Sequence, residues 1–438
     1  MKKKLQLLAA TVVLLLLISF TFFQYRDYRS YKNRVHKNAC LVFKVNVDGL
    51  IKNSSTELTG ILSSLFSEHK SNTKITRMLP QGIKIPANVF VYTVFSKSMK
   101  TFFCSLQVTD STTLRSYLEK GLQIGNFTAA DSGRVFGNSS NNKIHVAYDA
   151  RNLAISYSFK EEMVKDVLNE MLEGRSFLSE QSPLIRRLKS EDGPISYTYK
   201  SYSGSLKVRD STLVLEGTMP ISKLDIPRQS YRLSSKKADL AAEVWLNARL
   251  KRLMIKNTLL MKGYTMEEDS LAKYYHGYAG MEVGKTITQH NELITYTYND
   301  DFEKTEELKV SEVKVPEINV TLDGDARRLA AYMEAQLVIN KEHKLCKDLF
   351  PLYDVYSTHN EDILQFSTNR DNKVSAQPVK TPYFFFAEID FNKIKQEQHF
   401  AFLDSYISHL SSLKARASKK NSNEGLVKIE LTFREKAE

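Results

Sequence analysis

Cysteine is scarce: Cys40, Cys104 and Cys346 are the only three in 438 residues. That number excludes a disulfide scaffold and a four-cysteine zinc or iron–sulfur site. Being odd, it leaves at least one thiol unpaired; Cys104 reads as a packed free thiol, with a Cys40–Cys104 bridge as the alternative. Glycine and proline are also few, 17 and 10, so there is no long flexible linker and no low-complexity tract. Reaction motifs are missing too. The chain has no Gly-x-Ser-x-Gly elbow, no Walker loop, no Gly-x-Gly-x-x-Gly and no His-Glu-x-x-His. Nucleotide hydrolysis, dinucleotide chemistry and one-helix zinc catalysis are therefore poor expectations, and no cofactor is implied.

What remains is a globular balance, 42% hydrophobic and 26% charged, in a chain long enough for two or three domains. The strongest local signal is at the start. After Met1-Lys2-Lys3-Lys4, nineteen uncharged residues run from Leu5 to Phe23, with Gln6, Thr11, Ser19 and Thr21 as the polar interruptions. As a helix this stretch would reach roughly 28 Å, close to the hydrocarbon thickness of a bilayer. It reads as an uncleaved transmembrane anchor carried by Leu5, Leu14, Leu17 and Phe23. A cleaved secretory signal is the competing reading, opposed by the length of the run and by the lack of an Ala-x-Ala-like site at its end. Both flanks are basic, so charge alone nearly ties on orientation. The three-lysine start resembles an export signal and favours a cytoplasmic N-terminus with the body periplasmic.

The net charge of +12 sits mostly beside that run. Residues 1–37 hold eight Lys/Arg and one acid, which leaves only +5 for the body. A nucleic-acid reader needs its charge on the folded part. Here the excess lies where Lys and Arg meet lipid headgroups, so the expected partners are membrane lipids and an envelope protein, and not nucleic acid.

From Cys40 onward strand-like and helix-like patterns alternate, and the expected class is α+β with mainly antiparallel sheets. Leu41–Val47 alternates and ends at Asp48; Leu58, Ile61, Leu62 and Leu65 follow at helical spacing. Val89–Phe95 and Thr101–Val108 read as a hairpin, Asp110-Ser111-Thr112 as the start of a helix through Leu114 and Leu118, Lys143–Tyr148 and Leu153–Phe159 as a second hairpin. Glu161–Leu172 reads as an amphipathic helix, and Ile195–Lys200, Gly204–Val208 and Thr212–Gly217 as further strands. A weak repeat then lays Leu41–Asp48 over Leu240–Asn247, with Phe385–Asp390 as a third relative. The second copy continues with a hairpin Lys285–Gln289 and Glu292–Tyr298, a helix Asp325–Val338, and a hairpin Leu352–Tyr356 with Ile363–Ser367. Phe400–Leu413 reads as helical. The polar segment 228–237 is the natural seam, giving an anchor and basic flank at 1–37, a first domain at 38–235 and a second at 236–438.

The basic start, the apolar run and a body that opens Leu41-Val42-Phe43-Lys44-Val45-Asn46-Val47-Asp48-Gly49-Leu50-Ile51 resemble uncharacterised membrane-anchored envelope proteins of Bacteroidetes-type bacteria, families of the DUF4836 or DUF3352 kind. The resemblance covers Cys40–Leu65 and its echoes at 240–250 and 385–394, while the usual Pro-x-Asp/Asn lead-in is replaced by His36-Lys37-Asn38-Ala39. It implies location and architecture, and carries over no catalytic residue.

Side chains that could do chemistry are scattered. His343 and Cys346 share a helical spacing and would supply half a metal site; an exposed histidine and a packed cysteine is the plainer reading. His290 and His359 sit beside acids where hairpins need polar turns. Asp300-Asp301 and Glu306-Glu307 lie in a solvated stretch, unsuited to separating two pKa values. Four Asn-x-Ser/Thr sequons, at Asn53, Asn126, Asn138 and Asn319, match chance. The strands around Phe90 and Tyr92, and around Phe384 and Phe386, are apolar on both faces, as in a covered central strand; an apolar groove is the sharper alternative. The functional expectation is a non-catalytic, membrane-anchored extracytoplasmic scaffold or binding subunit of the cell envelope. Alternatives are a carrier of lipid or a small apolar ligand, and a hydrolase without a recognisable motif.

Overall fold

The computed structural model describes residues 24–434 except 33, 53–81, 131–132, 210, 235–238, 251–257, 262–263, 268–270, 272, 299–303, 373–376, 398–399 and 401–402. The chain divides into two compact units, Met1–Val208 and Arg209–Glu438.

In the first unit the strands are β1 (Ala39–Asn46), β2 (Asn88–Val94), β3 (Thr101–Val108), β4 (Ile124–Ala130), β5 (Arg134–Ser139), β6 (Ile144–Tyr148), β7 (Asn152–Ser158), β8 (Ile195–Tyr199) and β9 (Tyr202–Arg209). They pair antiparallel in the order β9-β8-β1-β2-β3-β7-β6-β5-β4. Short polar turns explain this pattern: at the β6–β7 turn the Asp149 carboxylate accepts from the Arg151 and Asn152 amides, both at 2.7 Å. Helix α1 (Ser111–Gly121) starts where Asp110 accepts from the amides of Thr112 and Thr113, and it buries Leu114 and Leu118 against Val146, Tyr148 and Leu153. Helix α2 (Lys165–Glu173) ends at Gly174, whose φ of 73° is the left-handed conformation that closes a helix. Its Val167, Leu168 and Met171 join Val42, Phe90, Tyr92 and Phe103 in a second core with Ile185 and Leu188 of α3 (Pro183–Ser190).

The second unit holds β10 (Thr212–Pro220), β11 (Ser230–Ser234), β12 (Ala242–Asn247), β13 (Tyr275–Tyr298), β14 (Lys304–Gly324), β15 (Tyr356–His359), β16 (Ile363–Ser367), β17 (Gln377–Thr381), β18 (Tyr383–Asp390), β19 (Leu410–Lys419) and β20 (Glu424–Phe433). Its sheet runs β10-β20-β19-β18-β12-β13-β14-β16-β15, all antiparallel. Helix α4 (Ala326–Ala335) is capped by Asp325, as α1 is by Asp110, and follows β14 as α1 follows β3. The order β9-β8-β1-β2-β3-β7-β6 in the first unit recurs as β19-β18-β12-β13-β14-β16-β15 in the second. Segment 230–234, inside the stretch read as a seam, pairs with 377–381 as β11 with β17, within the second unit.

The expected α+β class with an N-terminal transmembrane helix is overturned. The fold is mostly antiparallel sheet, 51% strand and 20% helix. Among the described residues no helix is long and apolar enough to cross a membrane. The anchor residues Leu5, Leu14, Leu17 and Phe23, and the helical stretch at Leu58–Leu65, lie outside the described residues. Two segments are divided differently from the expectation. Lys285–Gln289 and Glu292–Tyr298 belong to a single strand, because His290 and Asn291 between them stay in the ladder, paired with Glu312 and Ser311. Among the described residues of the 400–413 stretch, α-helix spans Asp404–Ile407, after which β19 begins. Beyond the pairings with β12 and β16, Thr286–Tyr298 and Lys304–Pro316 continue as a ribbon paired with each other, about 40 Å long at the usual strand rise.

Candidate functional site

Residues 24–30 are helical and lead into Tyr31, Val35 and His36, which fix the segment to the first unit. Tyr31 packs on Phe90 with ring centroids 5.5 Å apart, and Val35 is fully enclosed. The Asn88 amide donates to the Asp27 carboxylate at 2.6 Å and to the Ser30 hydroxyl at 2.8 Å. His36 is buried; its Nδ1 accepts from the Asn38 amide at 3.2 Å, so Nε2 carries the hydrogen and donates to Glu170 at 2.9 Å. The basic flank is thus built into the fold.

Between this segment and strands β3 and β7 lies a cavity of about 440 Å³, a volume in the range of small-ligand sites. Arg26, Arg29, Lys32, Arg34 and Lys84 line it, and its lining contains no carboxylate, imidazole or thiol. Ser105, Gln107 and Asn152 add hydroxyl and amide groups; Tyr25, Ile85 and Phe177 form an apolar wall. Tyr25 and Ile85 are among the exposed large hydrophobic residues, at 55% and 40%.

Three of the cations have partners. Arg26 bonds Asp48 at 3.0 Å, Arg29 donates to the Tyr25 hydroxyl at 3.4 Å, and Lys32 stands 3.8 Å from Glu180 and 4.8 Å above the Tyr28 ring. Arg34 differs. It is half-buried, no carboxylate pairs with it among the described residues, and its buried Nε has no hydrogen-bond partner. Burial pushes its guanidinium below the ordinary arginine range; the nearby Cys104 and Tyr92 oppose that shift and Arg29 adds to it. A cation taken from water without a counter-charge is costly, so an anion entering here recovers that cost.

The aromatic residues singled out from sequence fall in separate places. Phe90 and Tyr92 are enclosed in the first unit's core. Phe384 is buried against Ile221, Ala248 and Ala417 in the second unit, and Phe386 is partly buried beside Trp245. There Tyr231, Tyr278, Trp245 and Phe386 stack in sequence across four strands, with centroids 5.6, 6.3 and 5.7 Å apart. The three cysteines are free, and burial pushes the Cys104 thiol up to about 12. His343 is exposed and lies 3.3 Å from Glu334; among the described residues no cluster of three His, Cys, Asp or Glu could hold a metal. A second cavity, about 700 Å³ and open, is lined in the second unit by residues including Arg228, Lys380, Lys419 and Lys420.

Sequence reading placed the basic flank beside lipid but missed the cavity. Lys84, Gln107 and Asn152 come to it from the segment before β2, from β3 and from β7, and no local pattern marks them.

No family model matches this chain, and no curated protein matches it. Among solved structures, crystal forms I, III and IV of TP0453 are 9%, 11% and 10% identical, covering 76% of this chain and 90% of theirs, with TM-scores of 0.24, 0.25 and 0.24. At such scores the likeness carries no argument about fold or function.

Proposed function

We propose that the chain is a non-catalytic binding subunit that works against a membrane surface of the cell envelope, its body on the extracytoplasmic side. The carrying observation is the continuity of positive charge from the residues after the apolar stretch Leu5–Phe23 into a folded, cation-lined cavity. Juxtamembrane Lys and Arg gain about 1 kcal/mol each against an anionic leaflet. A lining of guanidinium, ammonium and amide groups suits holding an anion; it lacks the carboxylate or imidazole base that turnover ordinarily uses. A scaffold role for a protein partner is compatible with the same surface.

The test is amide hydrogen exchange of the full chain in nanodiscs. Anionic discs are expected to protect residues 24–52 and 84–87 more than zwitterionic discs do, with the difference fading as salt rises. Equal exchange in both lipids at low salt would remove the membrane-surface reading.

A further inference from the structure

We infer that the cavity beside residues 25–34 is a binding site for a phosphate-bearing anion, presented as the headgroup of an anionic phospholipid, with Arg34 as its central ligand. The inference rests on the membrane-surface reading above and names the ligand of that same cavity. Charge selects an anion: five cations line the cavity and no carboxylate does. Arg34 selects where that anion sits. Arg26 and Lys32 already have carboxylates within 4 Å, whereas Arg34 has none among the described residues; its buried Nε also lacks an acceptor, as does that of Arg26. A guanidinium offers five donors in a planar fork that matches phosphate oxygens, and Ser105, Gln107 and Asn152 add neutral polar groups to the same lining.

Two observations favour a lipid over free phosphate. One wall is apolar, with Ile85 and Tyr25 exposed at the rim, which suits the glycerol and first methylenes of an acyl chain and gives inorganic phosphate nothing. The cavity's first lining residue, Tyr25, follows the apolar run by only two positions, so chain connectivity brings the site to lipid wherever Leu5–Phe23 meets it. A zwitterionic lipid should be rejected, because its ammonium would be carried into a cationic lining.

The experiment titrates the full chain, in a nonionic detergent, with three probes in separate arms: dihexanoyl phosphatidic acid, dihexanoyl phosphatidylcholine and inorganic phosphate. Affinity and thermal midpoint are read for the wild type, for Arg34→Met and for Lys84→Gln. Phosphatidic acid is expected to bind and raise the midpoint, and the other two probes to bind at least about tenfold more weakly. Arg34→Met keeps the aliphatic stem and removes an unpaired charge, so its own midpoint should hold or rise while phosphatidic acid affinity falls about tenfold or more. Exposed Lys84 is a safe site for folding, and Lys84→Gln should weaken binding by a smaller factor. Unchanged affinity in Arg34→Met overturns the assignment of the central ligand. Inorganic phosphate binding as tightly as the lipid overturns the lipid source. No response to any probe overturns the site itself; if anionic nanodiscs still protect residues 24–52, the membrane-surface reading survives that loss.

Discussion

A single buried lysine shows how much one side chain can hold. Lys44, in the middle of β1, is 5% exposed, and its ammonium donates to the carbonyls of Leu188 at 2.8 Å and Glu191 at 3.0 Å. Those carbonyls lie at the end of α3, where backbone acceptors lack intrahelical partners. Burial lowers the Lys44 pKa, and the nearby Asp27, Asp192 and Glu191 charges push it back up. Lys44→Ala should therefore strand two acceptors and leave a void, costing about 2–4 kcal/mol. Denaturant unfolding followed by far-UV circular dichroism checks it; a loss under about 0.5 kcal/mol, the usual surface value, would mean that water replaces the ammonium. In sequence this lysine looks like the polar face of a half-exposed strand, Phe43-Lys44-Val45. Its partners come from about 145 residues away, and only the tertiary fold turns it into a helix cap.

At the scale of elements, termini and cross-strand pairs give sharper expectations. Asp325 caps α4 by accepting from the Arg328 amide at 3.2 Å. Asp325→Ala should cost about 1 kcal/mol, while Asp325→Asn keeps an accepting oxygen and should cost a few tenths; equal losses in thermal melts would show that the carboxylate acts by charge and not as a cap. On β19 and β20, Arg416 donates to Glu430 at 2.5 Å and Lys428 stands 2.9 Å from the same carboxylate. Lys428, first, and Arg416 hold the Glu430 carboxyl below its ordinary range. A depressed acid stabilises the fold above the unfolded value, about pH 4.3, and that contribution drains as pH falls through the folded value. Glu430→Gln should therefore flatten the acid limb of the stability curve from about pH 5 downward, with little change in its slope above. An unaltered acid limb would mean that solvent screens the pair completely. Elements with strong local signals were legible: the β2–β3 and β6–β7 hairpins, α1 with its Asp110 cap, and the body of α2. The pattern places the start of that helix at Glu161, but α2 starts at Lys165 and Met163 is 87% exposed. Strands β4 and β5 went unread because glycine and asparagine break their alternation. Asn126 has φ 51° beside a register shift, and a Cβ on Gly137 would meet the Phe127 ring at 2.7 Å. The ribbon of β13 and β14 was misdivided for the opposite reason, since a polar pair inside a long two-stranded strand looks like a turn when its partner strand is unseen.

For the whole molecule, the repeated strand order raises the question of whether the two units unfold as one. Each has cores of its own: Leu114, Leu118 and Leu153, with Val42 and Phe103, in the first, and Leu329, Leu364 and Phe366, with Trp245 and Tyr278, in the second. A unit that buries its own apolar surface can unfold cooperatively by itself. Trp245 is the chain's one tryptophan and is 3% exposed within the Tyr231–Tyr278–Trp245–Phe386 stack, so its fluorescence reports the second unit alone. Lys44 belongs to the first. In Lys44→Ala, the circular dichroism transition should split or shift to lower denaturant while the Trp245 midpoint stays at its wild-type value. If both signals move together by the same amount, the loss in one unit is paid by the other, and the 208/209 division marks a boundary of contacts without being a boundary of cooperativity.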